Sequence, residues 1–209
     1  TITSGDGIDK FVVNSSKLTY AQNGVYINAS GDGIKTLNLN QGYVWKFDSG
    51  SGDDVITSSG GTILGGRYDS ISTGTGNDTI TLDGQLGSNA RVSLGEGNDN
   101  ITINGGTGPY DYLTSYIYGE AGNDTITVSG DNATRIRVYL GDGNDSFNAS
   151  DTTNSNNSNN LDAERSFVRG GRGDDTLVGN DNNNLFYGGG DNDSIDSGNG
   201  DNQLHGEAG

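Results

Sequence analysis

Short runs of alternating apolar and polar residues recur along the chain, parted by turns rich in Gly and Asp. Thr79-Ile80-Thr81-Leu82, Asn100-Ile101-Thr102-Ile103 and Thr125-Ile126-Thr127-Val128 put Ile or Leu or Val on one face and Thr or Asn on the other. That period of two predicts half-buried strands. A second apolar row stands just ahead of the turns: Phe47, Ile71, Val92, Ile117, Val138, Val168 and Phe186. Two rows in fixed register predict a solenoid coil of turn–strand–turn–strand, about seven coils long, with both rows facing inward. Disorder is the rival reading of a polar, Gly-rich chain, but a disordered chain has no reason to keep two rows in register.

The turns repeat as well. Gly50-Ser51-Gly52-Asp53-Asp54, Gly74-Thr75-Gly76-Asn77-Asp78, Gly95-Glu96-Gly97-Asn98-Asp99, Gly141-Asp142-Gly143-Asn144-Asp145 and Gly171-Arg172-Gly173-Asp174-Asp175 share one signature. Glu120-Ala121-Gly122-Asn123-Asp124 and Gly189-Gly190-Asp191-Asn192-Asp193 are close variants. Gly50, Gly52, Gly74, Gly76, Gly95, Gly97, Gly122, Gly141, Gly143, Gly171 and Gly173 allow positive φ and bring turn carbonyls close to a cation. Asp54, Asp78, Asp99, Asp124, Asp145, Asp175 and Asp193 each add a carboxylate on a short arm. A hard cation of the calcium type takes six to eight oxygen ligands, which two stacked turns can share. Coils stack at about 4.8 Å, where unit charges repel by about 3.5 kcal/mol at an effective dielectric near 20. A ladder of such Asp calls for counter-ions, so several calcium ions and folding coupled to metal are expected.

Composition narrows the class. Of 209 residues 29% are hydrophobic, Gly numbers 37, Pro 1, and Cys and Met are absent. Disulfide scaffolds and thiolate zinc sites are thereby excluded, and no apolar run is long enough to span a membrane as a helix. The net charge of −17 arises wholly after residue 48, because residues 1–48 hold four Lys and four Asp. Such a charge repels nucleic acid and anionic lipid, so neither nucleic acid nor membrane insertion is expected. No Met opens the chain and a further repeat begins at His205, so the sequence reads as a fragment of a longer protein.

From Gly170 to His205 the turns fall into blocks of nine, beginning Gly170-Gly171-Arg172-Gly173-Asp174-Asp175-Thr176-Leu177-Val178. This resembles the repeat-in-toxin (RTX) family, with its Gly-Gly-x-Gly-x-Asp-x-apolar-x nonapeptide. The resemblance implies an all-β, right-handed parallel β-roll, or β-solenoid, with two nonapeptides per turn. It also implies calcium as cofactor, export in an unfolded state, folding outside the cell, and a secreted or bacterial cell-surface location. It divides the chain into a less regular N-terminal β segment with degenerate repeats (1–48), an elongated-coil calcium solenoid (49–169) and a regular β-roll (170–209). In the first segment Ser4-Gly5-Asp6-Gly7-Ile8-Asp9 offers Asp9 as a further ligand. Lys35 replaces the Asp of the second degenerate motif, and its ammonium should exclude an ion there. Phe11-Val12-Val13 and Val25-Tyr26-Ile27 flank Asn23-Gly24, a hairpin signal. On the opposite edge of the C-terminal coils Asn184 and Asn202 stand at the Asp position, so sites there should be weaker or dominated by carbonyls.

Other surfaces carry weaker signals. Arg91, Tyr116, Tyr118, Arg135, Arg137, Tyr139, Arg169 and Tyr187 fall on the outward side of the second strand. Such a strip could hold acidic extracellular polysaccharide by stacking and bidentate pairing, as in the accessory modules of alginate epimerases that it resembles. Thr57, Thr81, Thr102 and Thr127 form an outward row similar to some ice-binding adhesin segments, although Thr favours exposed strands anyway. Arg172-Gly173-Asp174 reads as a coincidence within a turn. With His205 the one His, no enzyme is expected. A structural segment of an adhesin, S-layer protein or exoprotein is the leading reading, with neighbouring copies as possible partners. The low-complexity run 151–163 reads as a surface loop open to proteases.

Overall fold

The computed structural model of the chain describes residues 2–3, 5–14, 25–29, 31–41, 44–59, 70–84, 86–87, 89–105, 114–130, 136–150 and 166–209. Regular structure among them is entirely β, in 19 strands. The strands alternate between two parallel sheets. The ten-stranded sheet holds β1 (Ile2–Thr3), β3 (Val25–Asn28), β5 (Val44–Asp48), β7 (Ser70–Thr75), β9 (Arg91–Glu96), β11 (Ser115–Ala121), β13 (Ile136–Asp142), β15 (Ser166–Arg172), β17 (Asn184–Gly190) and β19 (Gln203–Ala208). The nine-stranded sheet holds β2 (Asp9–Asn14), β4 (Lys35–Gln41), β6 (Val55–Ser58), β8 (Thr79–Leu82), β10 (Asn100–Ile103), β12 (Thr125–Val128), β14 (Ser146–Asn148), β16 (Thr176–Val178) and β18 (Ser194–Asp196). Every strand pairs with strands one coil away, never with its chain neighbour. This is the expected parallel β-solenoid.

Both apolar rows face inward. Phe47, Ile71, Val92, Ile117, Val138, Val168 and Phe186 are successive partners down one sheet. Ile56, Ile80, Ile101, Ile126, Phe147, Leu177 and Ile195 form the matching column of the other. All but Ile195 are buried, and the two columns meet in one core. Phe147 packs edge-on against Phe186 across that core, with ring centroids 6.1 Å apart. Because side chains alternate, a slip of one residue would turn a whole row out to water, so this core fixes the register.

The N-terminal segment joins the same sheets, since β4 pairs with β6 and β5 with β7. It is less regular, with register shifts at Val13/Asn14 and Val25/Tyr26. The expected hairpin does not form. β2 and β3 lie in different sheets, because Phe11 stacks on Leu37 and Ile27 on Phe47 in the two columns. Column packing outweighs the local turn signal. Asn23, Gly24, Arg135 and the run 151–163 lie outside the described residues.

Candidate metal-binding edge

Each Gly-rich motif turns the chain from the ten-stranded sheet to the nine-stranded one. All eleven motif glycines have φ between 92° and 145°. At Gly97 the reason is visible: a Cβ would strike the carbonyl oxygen of Gly76 in the coil before. The two motifs that depart from Gly keep the same path, with Glu120 at φ 81° and Asp191 at φ 74°. The turns are stitched by backbone bonds, as Gly76 N–H donates to Glu96 O, Gly97 N–H to Ala121 O and Gly122 N–H to Asp142 O, each at 2.8 Å.

The fifth position of the motif forms a ladder. Asp54 N–H donates to Asp78 Oδ1 at 2.7 Å, Asp78 N–H to Asp99 Oδ1 at 2.7 Å and Asp99 N–H to Asp124 Oδ1 at 2.9 Å. Asp124 N–H donates to Asp145 Oδ1 at 2.7 Å, Asp145 N–H to Asp175 Oδ1 at 2.8 Å and Asp175 N–H to Asp193 Oδ1 at 3.1 Å. One oxygen of each carboxylate is thus used. The other, Oδ2 of Asp54, Asp78, Asp99, Asp124, Asp145 and Asp175, is buried with no hydrogen-bond partner. Gly119, Gly170 and Gly188 pass so close to Oδ2 of Asp124, Asp175 and Asp193 that a Cβ on any of them would strike that oxygen.

Burial dominates the electrostatics. It pushes Asp124 and Asp175 up to about 7, against the opposing pull of the backbone N–H that each accepts. Asp54, Asp99 and Asp145 rise to about 6, and Asp78 is raised too. At Asp54 and Asp78 the backbone N–H of Lys35 and of Asp54, each donating to Oδ1, pulls the other way. Like charges on neighbouring rungs add to it at Asp54, Asp99, Asp124 and Asp175. Six carboxyls in single file are therefore harder to ionise than free ones, and a cation beside them would favour their charged form.

Sequence reasoning missed a second ladder at the fourth position. Asn77 N–H donates to Asp53 Oδ1, Asn98 N–H to Asn77 Oδ1, Asn123 N–H to Asn98 Oδ1 and Asn144 N–H to Asn123 Oδ1, at 2.7–2.9 Å. Asp174 and Asn192 continue it. Its signal was the Asp or Asn preceding every motif Asp. It also missed Gly119, Gly170 and Gly188, although the doubled glycines at 170–171 and 188–189 advertise the last two.

At Lys35 the seat beside the ladder is filled by the chain itself. The ammonium is fully buried and donates to Gly7 O and Gly33 O at 3.0 Å and to Asp32 O at 3.3 Å. Asp9, expected among the ligands, has its Oδ2 3.9 Å from this ammonium. Lys35 N–H still donates to Asp54 Oδ1, at 2.6 Å, so the position is in ladder register. On the opposite edge Asn184 Nδ2 donates to Asn180 O, Asn182 O, Ser197 O and Asn202 Oδ1 at 2.7–3.1 Å. There an amide holds together the oxygens that a cation would otherwise gather, and Asn184 Oδ1 is left buried without a partner.

Among the described residues no three carboxylate or imidazole side chains converge as a self-contained metal site. That suits one carboxylate per rung, since the remaining ligands of a hard cation must then be turn carbonyls. The orphaned Oδ2 atoms and the all-oxygen donor set fit calcium. The residues that would hold it are Asp54 to Asp193 with the carbonyls equivalent to those around Lys35, such as Ser51 and Gly52 at the Asp54 rung. A bound ion would supply the positive charge that lets the stacked carboxylates ionise within the fold.

On the other face Arg91, Arg137 and Arg169 are exposed, and the Tyr side chains between them are half-buried against one another. Tyr118 and Tyr139 stack at 5.3 Å and 7°, Tyr116 and Tyr118 at 6.3 Å, and Tyr187 and His205 at 4.5 Å. Phe167, missed from sequence, bridges Tyr139 and Tyr187 at 5.4 and 5.6 Å. Tyr118–Tyr139 and Tyr187–His205 stack between neighbouring coils, Tyr116–Tyr118 along one strand, and the two Phe167 pairs are tilted by 48° and 44°. Arg91 covers Tyr118 at 4.3 Å, Arg137 stands over Phe167 at 5.8 Å, and Arg169 pairs with Glu207 at 3.3 Å. Thr57, Thr81, Thr102 and Thr127 are successive partners on the nine-stranded sheet, as expected. Arg172 pairs with Asp142 at 3.4 Å, and Asp174 accepts from Asn192, so that tripeptide serves the turn.

Comparison with known proteins agrees with this geometry. The family model of the RTX calcium-binding nonapeptide repeat matches in four copies, over residues 64–85, 115–134 and 169–204. These segments contain the rungs Asp78, Asp124, Asp175 and Asp193, while Asp99 and Asp145 continue the same ladder between them and Asp54 precedes the first. No curated protein and no solved structure matches the chain. The chain is thus a parallel β-solenoid that carries repeats of the RTX calcium-binding nonapeptide family.

Proposed function

We propose that this chain is a calcium-folded structural segment of a secreted or cell-surface protein, of the adhesin, S-layer or exoprotein kind, exported unfolded and made rigid by calcium outside the cell. The observation that carries the reading is the file of six buried carboxylates, each with one oxygen unpartnered. Burying an unpaired charge is costly, so without an answering cation the coils oppose their own stacking. External calcium then acts as the signal to fold, and the low calcium of the cytosol keeps the chain exportable.

Far-UV circular dichroism during a calcium titration of decalcified protein tests this. The expected result is a coil spectrum that turns to β with calcium and not with magnesium. A β spectrum that persists unchanged without calcium overturns the reading, because the apolar columns would then hold the solenoid alone.

A further inference from the structure

We infer that position 35 is a cation seat whose cation is built into the sequence: the Lys35 ammonium takes the role that a bound ion takes at the later rungs, so the first two described coils lock together without calcium. This inference rests on the calcium reading above.

Three observations carry it. Lys35 occupies the fifth motif position in ladder register, its N–H bound to Asp54 Oδ1 as each rung Asp is bound to the next. Its ammonium is fully buried, and buried Lys is rare unless it is paired. Its three oxygen partners are turn carbonyls from two successive coils, Gly7 in one and Asp32 and Gly33 in the next. Sharing between coils is what a bridging ion would require. The Asp9 carboxylate, one coil back, completes the surroundings at 3.9 Å. The change is felt by the backbone as well. With no carboxylate at position 35 to accept it, Asp9 N–H donates to Ile34 O instead, at 3.1 Å. The charge balance agrees, since the four Lys of the chain all lie in residues 1–48 and cancel the four Asp of that segment.

The test compares the full chain with its Lys35→Asp and Lys35→Met variants. Calcium bound per chain is counted by equilibrium dialysis, and amide exchange in β2 and β4 is followed with and without calcium. Lys35→Asp should bind one more calcium than the parent, and its β2 and β4 protection should become dependent on calcium. Lys35→Met should bind the parent's number and lose protection in β2 and β4 in both conditions. An unchanged count in Lys35→Asp overturns the inference, as does failure of its first coils to fold in saturating calcium. So does full protection in Lys35→Met. A parent chain that binds no calcium sinks the proposed function instead, and the Lys35→Met arm still reads whether the ammonium holds the coils.

Discussion

The turns at Lys35 and at Asp54 follow one backbone path and reach neutrality in opposite ways. Gly33 has φ 112° and its N–H donates to Ser51 O at 2.9 Å, while Gly52 has φ 106° and donates to Thr75 O at 2.7 Å. At the fifth position, however, one turn buries an ammonium among carbonyls, and the other buries a carboxylate with a bare oxygen. The fourth position differs too. Ile8 and Ile34 stand there exposed in the first coils, where Asp53 and Asn77 begin the outer ladder in the later ones. Glycine therefore sets the shape of the turn, and the side chain at the fifth position decides whether that shape needs a metal.

The widest separation between the two regions should come from calcium removal. Chelation should abolish exchange protection at the N–H groups of Asp78, Asp99, Asp124 and Asp145, with protection in β2 and β4 lost last. Hydrogen-exchange mass spectrometry across a calcium series reads this directly. A single calcium midpoint for all coils would erase the distinction.

Acid should partly replace the metal in the later coils. With folded values near 6–7 against 3.8 for the free carboxyl, the fold holds more protons than the unfolded chain between about pH 4 and 7. Stability of the calcium-free form therefore falls as pH rises through that window. Protein dialysed free of calcium should show more β signal at pH 5 than at pH 7.5. Equal signals would mean that the ladder does not oppose the fold.

Packing and turn effects come next and should be measured in the calcium-loaded form. Phe147→Ala removes a fully buried ring from the core column and should cost about 3–5 kcal/mol by thermal or denaturant unfolding. Gly170→Ala puts a methyl against Asp175 Oδ2 and Gly188 O, a strain of about 1–3 kcal/mol that should also raise the calcium midpoint. Gly206→Ala meets nothing within 4 Å and should change neither. Equal behaviour of the two Gly variants would show that the close approach of Gly170 to Asp175 Oδ2 does not matter to the metal edge.

The fold was legible where one residue type repeats at one position. Both inward columns and the Asp ladder could be read because alternation and motif spacing are periodic and the core enforces them. The hairpin at Asn23-Gly24 was misread because a local turn signal says nothing about a distant column partner such as Leu37 or Phe47. The outer Asn ladder was overlooked because Asn in a turn has a sufficient local explanation. The path of Glu120 was hidden for a different reason: a non-Gly residue at φ 81° is imposed by the coils on either side, not by its own preference.

The smallest effect concerns the outward aromatic row, where sequence suggested a sugar-stacking strip and structure shows rings facing one another. If the ladder serves the sheet, Tyr139→Ala removes two ring contacts, with Tyr118 and Phe167. Aromatic pairs contribute about 0.5–1.5 kcal/mol each beyond burial. A loss of that order should appear in the unfolding midpoint of the calcium-loaded chain, and retention on an alginate column should not change. The opposite pattern, unchanged stability with reduced retention, would mean that the ring edges and the exposed Arg137 beside them act on a ligand. The outward face would then join the metal edge as a functional surface.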